Sequence, residues 1–334
     1  MRDIVVLVLP GVLDAALALL VEVLDAGTRV RVARGMRPAY RVTTRGADQR
    51  IVRTGLGQDF RTDGALASFR GRADVVVVTG QNLVDPDALI RDVRSPGRAR
   101  LSRWLARVAD DGARICAACT GVFHVAQAGL LDGHSATTTW FLAPRFRAEF
   151  PAVELHEHST LVRDRRRWTA GAALSMTDLA LALVSDLAGR AVERDVARYL
   201  LLERHPTQAR YMMATHFAAQ DPTVARAEAW VRGHLERPLR VPALARAMGL
   251  SERTLARRLA AATGLSPIRF VQRVRAEQAA HLLETSTGSV DEIARRVGYG
   301  DASSLRRILA RELELNARSL RASRAESGAH RPRV

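Results

Sequence analysis

Cys119 is the residue of this chain best placed to do chemistry. It closes the apolar stretch "ARICAAC" (Ala113 to Cys119) and is followed by Thr120-Gly121 and a helix-like pattern. A strand therefore delivers it to the start of a helix. Backbone N–H groups at a helix start favour an anion, so a cysteine held there can be a thiolate near neutral pH. Covalent catalysis would also need a base within hydrogen-bond reach and a group that orients the base. The neighbouring histidines do not meet that need. His124 is expected to point away along the following helix as a packed or surface residue, and His134 falls in a loop from which it would have to swing in. Cys116-Ala-Ala-Cys119 has the spacing of a redox pair. With Cys116 inside an extended strand, three residues of rise at ~3.3 Å put the two Cα atoms about 10 Å apart. A disulfide needs less than ~7 Å, so Cys116 reads as a small buried hydrophobe. His156 and His158 would share one face of an expected strand, but two nitrogens without a third ligand make no metal site. Neither a metal nor a cofactor is expected.

The elements around Cys119 are legible in the apolar pattern. "DIVVLVL" (Asp3 to Leu9), "ADVVVVTG" (Ala73 to Gly80) and the run ending at Cys119 are near-continuous and rich in β-branched residues. Such runs read as strands of a parallel sheet buried on both faces. Helical patterns over Ala15–Asp25, Pro86–Ile90 and Ala99–Val108 lie between them. This alternation predicts a doubly wound α/β layer, whose sites lie beyond the carboxyl ends of the strands. Cys119 stands at such an end.

A length of 334 residues suits two domains. Two cysteines make no disulfide framework and point to a reducing cytosol. No apolar stretch approaches the ~20 residues of a membrane helix, and "MRDIVVLVLPG" does not read as a signal peptide, so a cytoplasmic protein is expected. The net charge is +16, and every basic residue is arginine. Between 224 and 334, 21 arginines stand against 11 acidic residues, whereas the rest of the chain holds 30 and 24. A basic third on a near-balanced body reads as a nucleic-acid or anionic-surface module.

That basic third repeats itself. "VPALARAMGLSERTLARRL" and "VDEIARRVGYGDASSLRRIL" align with Leu244 on Ile293, Ala245 on Ala294, Met248 on Val297 and Gly249 on Gly298. Apolar residues at helical spacing lead to a glycine suited to positive φ, then to a polar N-cap, Ser251 or Asp301, opening a second helix. This is a helix-turn-helix twice over. The segment Pro267–Thr285 between the units reads as one helix of about 28 Å at ~1.5 Å per residue, and successive major-groove faces lie roughly 34 Å apart. By position the first recognition helix offers Arg253 and Arg257 to base edges, with Thr254 and Arg258 nearer phosphate. The second offers Ser303 and Arg307, with Ser304 and Arg306 beside them.

With "CTG", "AGLLDGHSATTTW" and "WTAGAALSMTDLALALV" in place, residues 3 to 213 resemble the PfpI-like branch of the class I glutamine amidotransferase superfamily, in the version fused to AraC-type regulators. The resemblance implies a flavodoxin-like sheet, a strained strand-to-helix elbow at Cys119 and an acid near the first strand, matched by Asp14. Thr120 stands where the hydrolytic members carry a histidine, and Thr139 where regulator-type members often carry one. Asp14, Cys119, Thr120 and Thr139 are therefore expected to line a ligand pocket and not a catalytic centre. Residues 224 to 321 resemble the AraC/XylS DNA-binding domain through "LARAMGLSERTL", "TGLSP", "AAHLLETS" and "EIARRVGYGDASSLRR". Leu259, Leu305 and Leu309 stand where that family favours phenylalanine, and Glu314 and Ala317 replace a late glycine and proline, leaving the end of the last helix open.

The expected organisation is a class I glutamine amidotransferase-like sensor over 1–213, a linker at 214–223, an all-α double helix-turn-helix domain over 224–322, and a disordered basic tail at 323–334. The implied function is sequence-specific transcription regulation, with double-stranded DNA, a small-molecule effector, a second copy in a homodimer and RNA polymerase as partners, and no membrane. The competing readings are a cysteine-dependent hydrolase or hydratase acting through Cys119, and a thiol redox-sensing regulator.

Overall fold

The computed structural model describes residues 1–205, 207–208, 222–237, 239–313 and 317. The expected tail at 323–334 lies outside them, as does the expected linker apart from Pro222 and Thr223, which open a helix. The chain divides into two compact units, Met1–Gln208 and Ala209–Val334.

The first unit is built on a seven-stranded sheet: β1 (Arg2–Val8), β2 (Tyr40–Gly46), β3 (Gly64–Ala65), β4 (Val75–Val78), β5 (Arg114–Ala118), β6 (Leu161–Asp164) and β7 (Arg167–Ala170). Their order across the sheet is β6-β7-β5-β4-β1-β2-β3, and every pair is parallel except β6 with β7. The uninterrupted apolar runs are explained by cover on both faces. Ile4, Val6, Val77 and Cys116 point into a core shared with helices Asp14–Ala33 and Ser175–Ala188. Their alternating neighbours Val5, Leu7, Val76, Ile115 and Ala117 point the other way, against helices Pro86–Val93, Ala99–Asp110 and Gly121–Gln127. β2, "YRVTTRG", carries no such run because it stands next to the short edge strand β3 and much of it is half-buried.

One expectation needs correction. His156 and His158 do not lie on a strand: the short strand Glu154–Leu155 ends before them and they fall in the turn that follows. There His156 approaches Glu154 (3.5 Å) and His158 approaches Glu157 (3.9 Å).

The second unit is helical, with described helices at Pro222–Arg232, Val241–Met248, Glu252–Thr263, Pro267–Thr285, Val290–Arg296 and Ala302–Leu313. Leu244, Ala245, Met248, Ile293, Ala294 and Val297 are all buried, as the aligned repeat requires. Leu259, Leu305 and Leu309 are fully buried too, so leucine fills these core positions. No helix among the described residues is long and apolar enough to cross a membrane.

Candidate functional site

The chain leaves β1 for β2 on one side and later returns to β4 on the other, so the carboxyl ends of β1 and β4 form the topological switch point of the sheet. The turn after β5 joins them. Leu13 N–H donates to the Gly80 carbonyl (3.2 Å), Asn82 N–H to the Gly11 carbonyl (2.7 Å) and Gln81 N–H to Thr120 Oγ1 (2.6 Å). Gly80 permits close approach, since a Cβ there would sit 2.9 Å from the Cys119 Cβ.

Cys119 adopts φ 55°, a left-handed conformation that costs a residue with a side chain on the order of 1–3 kcal/mol. Its surroundings hold it there. Its N–H is shared between the carbonyls of Ala170 (3.1 Å) and Gly171 (2.9 Å), and its own carbonyl accepts from Thr138 Oγ1 (2.9 Å). The strained elbow is present, and the burial around it works against a thiolate. Burial pushes the Cys119 thiol up to about 11, outweighing the Thr120 N–H and the Thr139 and Thr120 hydroxyls that favour the anion. Among the described residues, no imidazole or carboxylate contributes to its proton affinity. Cys116, inside β5, is also a free thiol, pushed up by burial to about 12.

Of the four expected pocket residues, the structure brings Cys119, Thr120 and Thr139 together. Thr139 is fully buried, and its Oγ1 forms no hydrogen bond among the described residues although it lies close to the sulfur. Asp14 is not among the groups that shift the thiol. Its carboxylate accepts from the Thr54 hydroxyl and from Leu56 N–H (3.0 Å), which holds it below the usual carboxylate range and fastens the loop at 54–58. The resemblance pointed to Asp14 as the acid near the first strand, and the loop that its carboxylate binds is distant in sequence.

His124 is buried, and its Nε2 lies 2.7 Å from Gln81 Oε1. Burial, with the Arg98 guanidinium nearby, lowers its pKa to about 4 against the opposing pull of Asp92, so the ring is neutral at pH 7. Gln81 also donates to the Pro10 carbonyl (3.0 Å) and to Asp92 (3.2 Å), and buried Arg98 pairs with Asp92 (3.2 Å) and Asp48 (2.9 Å). A polar chain from Thr120 to Asp48 thus backs the elbow. Nothing in the local pattern announces Gln81, Asp92 or Arg98, because their partners lie 6 to 71 residues away. His134 is tied to Asp164 on β6 (2.9 Å) and is not held over Cys119.

In the second unit, the helix Val241–Met248 ends with Gly249 at φ 71°, and Leu250 N–H returns to the Ala245 carbonyl (3.0 Å). Gly298, at φ 80°, is followed by Tyr299 N–H on the Ala294 carbonyl (2.8 Å). These are the same six-to-one closing bonds at aligned residues. Each next helix is capped alike, Ser251 Oγ accepting Thr254 N–H (3.2 Å) and Asp301 Oδ1 accepting Ser304 N–H (2.8 Å). Arg253, Arg257, Arg258, Ser303, Arg306 and Arg307 are exposed, while Thr254 and Ser304 are half-buried in the capped turns. Arg258 donates to Thr223 Oγ1 (2.8 Å) and so is braced against the helix Pro222–Arg232.

Residues 244–323 match the model of a helix-turn-helix domain. The HTH-type transcriptional regulator GbdR of Pseudomonas aeruginosa is 27% identical over 199 residues, covering 59% of this chain and 54% of that protein. The chain's match thus spans about half the length of that curated relative. The HTH-type transcriptional regulator CdhR of the same organism is 26% identical over 305 residues, 90% of this chain and 86% of that one. Among solved structures, an AraC family transcriptional regulator from Pseudomonas putida superposes with a TM-score of 0.51 at 20% identity, covering 60% of this chain and all of that one. A ThiJ/PfpI family protein from Pseudomonas syringae does so with a TM-score of 0.50 at 18% identity, over 61% of this chain and 76% of that one. These likenesses show the fold of the first unit. The chain joins a helix-turn-helix domain to a body whose fold is that of the ThiJ/PfpI-type structures.

Proposed function

We propose that this union of an AraC-type helix-turn-helix domain with a PfpI-like body is a cytoplasmic transcription regulator that reads a specific double-stranded DNA sequence. The observation that carries the reading is the doubled turn: two glycine-closed helices, each leading into a capped helix whose exposed face carries arginines. A guanidinium meets a guanine edge with two parallel hydrogen bonds, and neighbouring arginines hold phosphates. In this reading the body is a sensor that binds a small molecule at the elbow of Cys119, Thr120 and Thr139 without covalent chemistry. A thiol whose pKa burial raises, with no base acting on it among the described residues, supports binding over catalysis. A second copy in a homodimer and RNA polymerase complete the set of partners.

Selection of bound sequences from a random duplex pool, with and without candidate metabolites, tests the whole reading. Enrichment of one motif is expected, with affinity that falls steeply as salt rises, since each neutralised phosphate releases counterions. No enrichment, or a flat salt profile, overturns it. Cys119→Ser is expected to keep both operator binding and effector response. Iodoacetamide should alkylate Cys119 slowly at pH 7.5 and faster only as pH approaches the thiol's raised range; rapid reaction at neutral pH would reopen the case for a nucleophile or a redox sensor.

A further inference from the structure

We propose that the first unit also binds a compact organic polyanion, in a cleft at the amino ends of β4 and β5, the end of the sheet opposite to the Cys119 elbow. The cleft has a volume of about 1000 Å³ and lies between the segment leading into β4 and one face of the helix Ala99–Asp110. That is the upper size of ordinary small-molecule sites, ~300–1,000 Å³. Arg100, Arg103 and Arg107 recur at the spacing that puts residues on one helix face, and all three line the cleft. They are exposed, and their guanidinium groups make no hydrogen bond or ion pair among the described residues. Arg70 and Arg72 line it from the opposing segment, where Arg70 donates to the Ala67 and Phe69 carbonyls and Arg72 stays 3.7 Å from Asp74. Against these five cations the lining offers one acid, Asp111.

The apolar part of the wall makes the cleft more than a charged surface. Phe69 and Trp104 meet edge to face with centroids 5.8 Å apart. Trp104 is 6% exposed, yet its indole Nε1–H has no hydrogen-bond partner among the described residues. A buried, unpaired donor is rare and calls for a partner. Converging guanidinium groups in a concave, partly apolar setting raise the local concentration of anions and grip phosphate or carboxylate in pairs of bonds. A DNA duplex presents its phosphates along a convex ridge, which a pocket of this size does not track, so the occupant is a small molecule with at least two negative charges and an apolar or aromatic body.

The test is calorimetric titration of the full chain with 1-naphthyl phosphate and with inorganic pyrophosphate, beside uncharged 1-naphthol, at about 0.1 M salt, where the screening length is ~10 Å. Saturable binding of naphthyl phosphate, tighter than that of pyrophosphate, and none of naphthol is expected. The double substitution of two exposed residues, Arg103→Ser with Arg107→Ser, should weaken naphthyl phosphate at least about tenfold, roughly 1.4 kcal/mol, and leave the selected duplex motif unchanged. Absence of saturable binding at millimolar concentrations, or equal binding by the double variant, overturns the proposal. A double variant that loses non-specific duplex binding, in a protein that never bound naphthyl phosphate, reassigns the arginines to DNA and also overturns it. Because motif selection is read separately, this outcome stands apart from the fate of the regulator reading.

Discussion

Gly249 and Gly298 close aligned helices with the same left-handed turn, but one stands in the open and the other is enclosed. A Cβ on Gly249 would meet nothing within 4 Å. A Cβ on Gly298 would meet the Leu235 carbonyl oxygen at 2.2 Å and the Arg275 guanidinium at 2.5 Å. Arg275, buried on the helix Pro267–Thr285, donates to the carbonyls of Leu235 (3.0 Å) and Arg237 (2.6 Å) and lies over the Tyr299 ring at 5.5 Å. Burial disfavours its charge and lowers its pKa, with Tyr299 opposing that shift. The first turn is thus set by its own local bonds. The second is also clamped by a guanidinium that ties it to the segment preceding the first helix pair.

This difference makes the largest expected effect a difference between two alanine substitutions. Gly298→Ala combines the left-handed penalty of ~1–2 kcal/mol with overpacking of ~1–3 kcal/mol, and should lower stability by roughly 3 kcal/mol in urea unfolding. Gly249→Ala should cost only the first part. Equal losses would break the comparison and remove the clamp from the account. On DNA, Arg257→Ala and Arg307→Ala should each relax base preference by ~1–3 kcal/mol, at two sites about one helical turn apart. Equal weakening on every sequence would instead make them phosphate contacts.

The caps sharpen the contrast further. Ser251→Ala should cost about 1 kcal/mol of stability. Asp301 is held below its ordinary pKa by the N–H and hydroxyl of Ser304. A depressed carboxylate stabilises the fold above its unfolded value, 3.8, and loses that contribution as pH falls through the lower folded one. The Ser304 amide resonance should therefore titrate below pH 4, whereas that of Thr254, capped by a hydroxyl, should not. Parallel titration of both amides would mean that both helix pairs respond together and not at the Asp301 cap.

Much of the fold was legible because its signals are local. Three buried strands announce themselves as β-branched runs, and the doubled helix pair appears as an apolar period interrupted by glycine and a polar cap. β2 and β6 lack that signal, since many of their residues are only half-buried, and β7 is a short stretch of four residues without an apolar run. Around Cys119, the elbow followed from strand, turn and helix in succession. Its protonation did not, because proton affinity depends on what encloses the sulfur. The bonds of Asp14 to the loop at 54–58 were hidden for the same reason, since that loop lies beyond the reach of any local pattern.

Order along the chain, the paired turns and the excess of arginine in the last third were settled by residue type and spacing, since backbone preference and helical or strand period act over a few neighbours. Tertiary packing alone sorted the arginines, burying Arg98 and Arg275 as clamps, leaving Arg253 and Arg257 at the surface and gathering others around the cleft by Trp104. A guanidinium carries the same charge wherever it stands; burial and distant partners decide whether it braces the protein or remains free for an anion.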